Sequence, residues 1–261
     1  MPPNWVFQQN QLQDGSGKYR TARLGVTAPI FIYILCEWSK MQNLTNQLRI
    51  WNIHESVDNL IPRFASDAYK KLIPYVSIFL CSAHPYRENH TPMCPFVPQA
   101  LKNDKIYFTY FNSEQISDSI TFIKKSIHFY LNSKSSVRSF GAVIIIFPEN
   151  YDIETLLQIQ DANKVQCVNS SLMLGALYSS SNAYSLHNSE YYPLRTPTPI
   201  LVLRDMVVND LVFLDQDRHH IRKKIKFLNS FIKTFTNNTH KVERRQVQLA
   251  KRLRKKYLLK I

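Results

Sequence analysis

The run Gly141–Phe147 (GAVIIIF) limits the fold of this chain more than any other segment. It is apolar without interruption after the glycine, too short for an ordinary helix and rich in β-branched residues, so it reads as a buried strand. A strand of that kind sits inside a sheet that other layers cover. Two further stretches read the same way, Ile106–Phe111 (IYFTYF) and the short Ile200–Arg204 (ILVLR), and Leu172–Tyr178 reads as extended. Helical spacing runs from Trp38 to Phe79, with Leu44, Leu48 and Trp51 on one face and a break at Pro62, and Asp67–Leu80 forms a second helix kinked at Pro74. Ser113–Leu131 reads as an amphipathic helix with Ser113 as N-cap and Ile116, Ile120, Ile123 and Ile127 as its apolar face. Asp152–Gln166 is helical, and the chain from Asp210 onward is helical with a weak spot at Thr236–Thr239. The fold class expected is α+β or α/β, with a single central sheet of about four or five strands covered by helices. The 261 residues divide into an N-terminal extension (1–37), one domain (38–228) and a basic amphipathic C-terminal helix (229–261).

The charge is unevenly placed. The chain has 33 Lys and Arg against 19 Asp and Glu, a net +14, but residues 218–261 hold fifteen of the cations and one acid, Glu243. Residues 1–217 are therefore neutral, with 18 charges of each sign. A neutral body argues against nucleic-acid recognition by the domain itself and leaves the tail as an electrostatic appendage. In 241–261, Val242, Leu249, Leu253, Tyr257 and Ile261 recur at mainly four-residue spacing among basic residues. Such a helix can lie on an anionic membrane, contact nucleic acid, or pack its apolar stripe on the domain.

With five glycines there is no phosphate-cradling loop, and no G-x-S-x-G or H-E-x-x-H motif occurs. The four cysteines (Cys36, Cys81, Cys94, Cys167) form no C-x-x-C pair, which speaks against a zinc ribbon or a disulfide scaffold and for a reducing, cytoplasmic setting. Leu24–Cys36 is apolar behind Lys18, Arg20 and Arg23; it is shorter than the about 20 residues of a membrane span but similar to the core of a signal peptide, so export is the alternative.

Seven of the 13 prolines fall in two windows, Pro85, Pro92, Pro95 and Pro98 in the first and Pro193, Pro197 and Pro199 in the second. Proline-stiffened loops on a sheet are where sites are built, and these two contain His84, His90, Cys94, His187 and Arg195. A thiolate at Cys94 can ligate iron or act as a nucleophile, and Pro95 stiffens the backbone beside it; the alternative is a small buried hydrophobe under Phe96. His84 and His187 are iron or zinc ligand candidates, His84 otherwise a loop hydrogen-bonding group. Arg195 and Arg204 suit a carboxylate or phosphate, and for Arg204 the alternative is an ion pair with Asp205 or Asp210. Tyr178, Tyr184, Tyr191 and Tyr192 belong to the same region.

His84-Pro85, C-P-F-V-P-x-A-L (Cys94–Leu101), L-M-L-G (Leu172–Gly175), L-H-N (Leu186–Asn188), P-L-R-T-P-x-P (Pro193–Pro199) and L-R-x-M-V-x-x-D-L-x-F-L (Leu203–Leu214) together resemble an uncharacterised bacterial family classed as a domain of unknown function. The resemblance spans about Leu80–Leu228. The family pattern continues L-M-L-G with an acid, an aromatic and His-Pro where this chain has Ala176, Leu177, Tyr178 and Ser179, so any chemistry of that histidine is absent here. A second resemblance, in the Cys-Pro-Phe segment and the late His/Arg loop, is to haem-dependent N-oxygenases of natural-product pathways. It implies haem or non-haem iron held by Cys94, His187 or His84, with Arg195, Arg204 and Tyr192 on the substrate, a small amino-acid-like molecule. The non-enzymatic alternative is a binding protein that docks to nucleic acid or an anionic membrane through 241–261.

Overall fold

Five strands form one mixed sheet: β1 (Trp51–Asn52), β2 (Ile106–Tyr110), β3 (Ala142–Ile146), β4 (Leu172–Leu177) and β5 (Ile200–Asp205), in the order β1-β2-β3-β5-β4. Only β2 and β3 are parallel; the other pairs are antiparallel, with Ile144 opposite Phe108 on one side and Val202 on the other. The computed structural model describes residues 48–55, 60–86, 90–133, 140–185, 188–237 and 240–261, all within the unit Asn46–Ile261. The N-terminal extension 1–37, its apolar stretch 24–36 and Leu44 lie outside the described residues.

Seven α-helices surround the sheet among the described residues, giving an α+β fold: α1 (Arg63–Pro74), α2 (Val97–Lys102), α3 (Ile116–Asn132), α4 (Ile153–Asn169), α5 (Leu211–Leu214), α6 (Ile221–Phe235) and α7 (Lys241–Leu258). Residues pointing to one face of the sheet, Val143, Ile145, Leu174, Leu201 and Leu203, pack under Phe122, Ile123, Ile127 and Tyr130 of α3 and Leu156, Ile159 and Cys167 of α4. The alternate residues Ile106, Phe108, Ala142, Ile144, Ile146 and Ile200 meet α1 and α2 through Ala68, Tyr69, Leu72, Val97 and Ala100. This alternation explains the unbroken apolar run of β3: all five of its residues are buried. Gly141 precedes it because a Cβ there would lie 2.4 Å from the Lys105 carbonyl oxygen, which accepts the Ala142 N–H at 2.9 Å. No helix among the described residues is long and apolar enough to cross a membrane.

Several local expectations are corrected. Trp51 is not helical; it lies in β1 opposite Phe108, with its ring stacked on Phe108 at 6.3 Å and edge-on to Tyr69 at 5.7 Å. Tertiary burial of a large ring outweighs the helical spacing of its neighbours. The helix expected over Asp67–Leu80 starts earlier, at Arg63 after Pro62, and beyond Pro74 continues as a π-helical turn, Tyr75–Phe79, closed by the Leu80 N–H on the Tyr75 carbonyl at 3.0 Å. Proline lacks the N–H that the α-ladder requires, and the wider turn absorbs the defect. Ser113 is not the N-cap of α3. Its hydroxyl donates to Asp118 at 2.6 Å and accepts the Gln115 N–H at 3.1 Å, and Ile120 is exposed. Helix α4 by contrast has its cap in place, with the Thr155 N–H and hydroxyl both donating to Asp152.

The C-terminal residues split into α6 and α7, and residue 228 lies inside α6. The two helices share a third core with Val168, Met173 and Met206, built from Phe227, Leu228, Phe231 and Phe235 of α6 and Val247, Ala250 and Tyr257 of α7. The buried stripe of α7 is therefore Val247, Ala250 and Tyr257 with Leu253 partly covered, whereas Val242, Leu249 and Ile261 are exposed.

Candidate functional site

A cavity of about 850 Å³ opens over the β3, β5 and β4 end of the sheet. Its floor is strand side chains, Ala142, Ile144, Gly175, Ile200, Val202 and Arg204; one wall is the π-helical turn with the segment Cys94–Val97, and the opposite rim comes from Ser181–Ala183 and Pro193–Leu194. Edge strand β4 gives it room. Gly175 faces open space, where an added Cβ would meet nothing closer than Leu177 Cδ1 at 3.8 Å. Beyond that edge Gln160 of α4 donates to the Leu174 carbonyl at 3.0 Å and also lines the cavity.

The lining is mostly apolar, which makes Arg204 conspicuous. It lies in register between Ala142 and Met173 and is held at its tip by Asp210, Nη1 to Oδ2 at 2.8 Å and Nη2 to Oδ1 at 2.7 Å. Nη1 donates its second proton to the Asp205 carbonyl at 2.7 Å. Asp210 is fully buried and takes the Val207 N–H as well, at 2.8 Å. Burial would lower the Arg204 pKa, but the hydrogen bonds and charge of Asp210 outweigh it, so the group is held above its ordinary value and stays charged. Nε–H and the outer Nη2 proton, which together form the second fork of a guanidinium, have no protein acceptor among the described residues. The Arg204 side chain is 35% exposed, and it lines the cavity.

Of the other residues singled out in sequence, Cys94 lines the cavity wall, its N–H bonded to the Leu80 carbonyl at 3.0 Å and its thiol near enough to Arg204 and Tyr75 to interact with them electrostatically. His84 does not reach the cavity lining. It is buried, accepting the Tyr86 N–H at Nδ1 (3.1 Å) and pairing Nε2 with the Ser185 hydroxyl (3.1 Å), with Tyr86 and Tyr191 rings edge-on. This bond ties the two proline-rich loops together, aided by Tyr75 OH donating to the Pro193 carbonyl at 2.8 Å. His187 lies outside the described residues. Arg195 is exposed, its guanidinium 4.1 Å from the Tyr192 ring centre and its Nε donating to the Ser181 carbonyl at 2.9 Å, so both residues brace the rim and neither lines the cavity. Among the described residues no group of three or more His, Cys, Asp or Glu is placed to hold a metal ion.

One polar pair had no sequence signal. Lys164, in mid-helix, donates to the Phe213 carbonyl at 3.0 Å and pairs with His219 Nε2 at 3.1 Å, pinning the segment that closes one end of the cavity with Phe213, Gln216 and Arg218. Burial, with Arg218 and Lys223 nearby, lowers Lys164 to about 8; burial and the charge of Lys164 lower His219 to about 4. Because the folded His219 value is depressed from 6.5, its contribution to stability is complete above pH 6.5 and is lost as pH falls toward 4. We expect the urea midpoint to drop over that interval in the natural chain and to drop less in His219→Gln; equal slopes would refute the assignment.

Fold and cavity define an α+β domain with a ligand-sized, largely apolar chamber on one sheet face and one guanidinium in its floor. The chain belongs to the family described as Domain of unknown function (DUF6875), which matches residues 69–246 and so takes in every residue lining the cavity. No curated protein and no solved structure matches the chain.

Proposed function

We propose that this domain binds a small, mainly apolar organic acid, with the apolar body over Ile144, Gly175 and Val202 and the acid on the unspent Nε/Nη2 fork of Arg204. The observation that carries this reading is that Arg204 is fixed at one end by buried Asp210, keeps donors unspent and lines a chamber whose surface is mostly apolar. A carboxylate there gains a charge-assisted, paired hydrogen bond in surroundings that exclude water. The test uses an anilinonaphthalene sulfonate, an apolar anion whose fluorescence reports burial, displaced by a panel of apolar carboxylates. Gly175→Phe, which fills the chamber, and Arg204→Met with Asp210→Leu, which removes the ion pair as a unit, should each weaken binding about tenfold or more while both variants still unfold cooperatively above the assay temperature. Equal binding in all three proteins would defeat the proposal.

A second reading keeps iron at the same place. Non-haem iron takes several protein ligands, and the described residues offer no such set. For a haem, Cys94, on the cavity wall, would be the residue to hold the iron, whereas His84, with both ring nitrogens engaged, would not. When bound, the haem would supply oxygen-activating chemistry, and Arg204 would orient an acid group. Titration with haemin distinguishes this reading: a Soret band that Cys94→Ala abolishes supports it.

A further inference from the structure

Helix α7 packs one side on α6, and among the described residues nothing covers the other. Val247, Ala250 and Tyr257 are buried, and at 100° per residue the opposite side carries Lys241, Arg244, Arg245, Arg252, Lys255 and Lys256, all exposed. Its sole acid, Glu243, falls on the packed side. Among the described residues none of these six cations is in an ion pair. Like charges one turn apart repel and weaken a helix, so this arrangement is relieved when a polyanion neutralises it. Lys241, Arg244, Arg245 and Arg252 already border one shallow groove with Gln248 and Leu249.

Two features choose among polyanions. Leu249 (45% exposed) and Leu259 (80%) stand beside the cations. Exposed leucines gain little from a phosphodiester backbone, whereas the headgroup region of a bilayer takes both the charges and the alkyl groups. The aromatic of α7, Tyr257, is buried and hydrogen-bonded to Asp215 at 2.6 Å, so the outward side has no ring on which a base could stack. We infer that the outward face of α7 docks on an anionic membrane surface, with the cations over lipid phosphates and carboxylates and the leucines dipping between headgroups. This surface is independent of the cavity.

The test is co-sedimentation of the full chain with vesicles of phosphatidylcholine alone or with about one-third phosphatidylserine, in about 0.1 M salt. The chain should pellet with the anionic vesicles only and be released by high salt. Each Lys or Arg near such a surface contributes about fivefold to partitioning, so reversing three (Arg245→Glu, Arg252→Glu, Lys256→Glu) should cost about a hundredfold or more. Leu249→Ser should weaken binding with the charge unchanged, which a purely electrostatic contact would not show. If the reversal variant melts early, the neutral set Arg244→Gln, Arg245→Gln and Arg252→Gln gives the same reading. The proposal is overturned if anionic vesicles fail to pellet the chain, if both charge variants pellet like the natural chain, or if a duplex DNA is bound at concentrations where vesicles are not.

Discussion

Replacing Asp210 by alanine lowers the free energy of unfolding by about 3–5 kcal/mol, the range for removing one partner of a buried ion pair. The carboxylate takes both Nη groups of Arg204 and the Val207 N–H, and its side chain is only 2% exposed. Its loss strands a guanidinium that keeps one carbonyl acceptor, Asp205, and leaves a backbone donor unpaired. The pair replaced as a unit, Arg204→Met with Asp210→Leu, costs less, about 1–3 kcal/mol, because no charge is stranded and only the Val207 N–H loses its acceptor. Urea unfolding of the two variants measures the contrast. A loss below about 1 kcal/mol for the alanine variant would mean that water already reaches the pair freely, and the cavity floor would then have to be redrawn.

Removal of residues 241–261 should unfold or aggregate the domain. Helix α7 covers Phe231, Phe235 and Leu228 of α6 with Val247, Ala250, Leu253 and Tyr257, and Tyr257 also bonds Asp215 beside the buried Lys224. At about 1.5–3 kcal/mol for each large apolar side chain buried, the lost cover is of the order of a domain's whole stability, about 5–15 kcal/mol. Soluble expression and a melting curve decide it. A truncated chain that melts like the intact one would show that α7 only rests on the domain.

The parts of the fold that were legible in the sequence are those where one local rule acts alone. Gly141–Phe147 is a strand because nothing but a two-sided burial accommodates six successive apolar residues, and the helix read over Asp152–Gln166 is there as α4, Ile153–Asn169. The errors come where distance in space overrides spacing in sequence. Trp51 follows Phe108, not its helical neighbours, and the buried stripe of α7 is chosen by the phenylalanines of α6. The site follows the same division. An ion pair between Arg204 and Asp210 was readable six residues apart, and the first proline window holds Cys94, which lines the cavity wall. The pairing of Lys164 with His219, 55 residues away, and the open space at Gly175 are products of the assembled sheet.

Edge strand β4 has a further meaning for how copies of this chain behave toward one another. A free strand edge is a template for adding the strand of another molecule. On β4 that template is interrupted, because the amide of Gln160 occupies the Leu174 carbonyl at mid-strand. The opposite edge, β1, is two residues long and offers too little ladder to extend. Among the described residues the sheet therefore has a short margin at β1 and an interrupted one at β4, and Gln160, which helps enclose the chamber, is the residue that interrupts it.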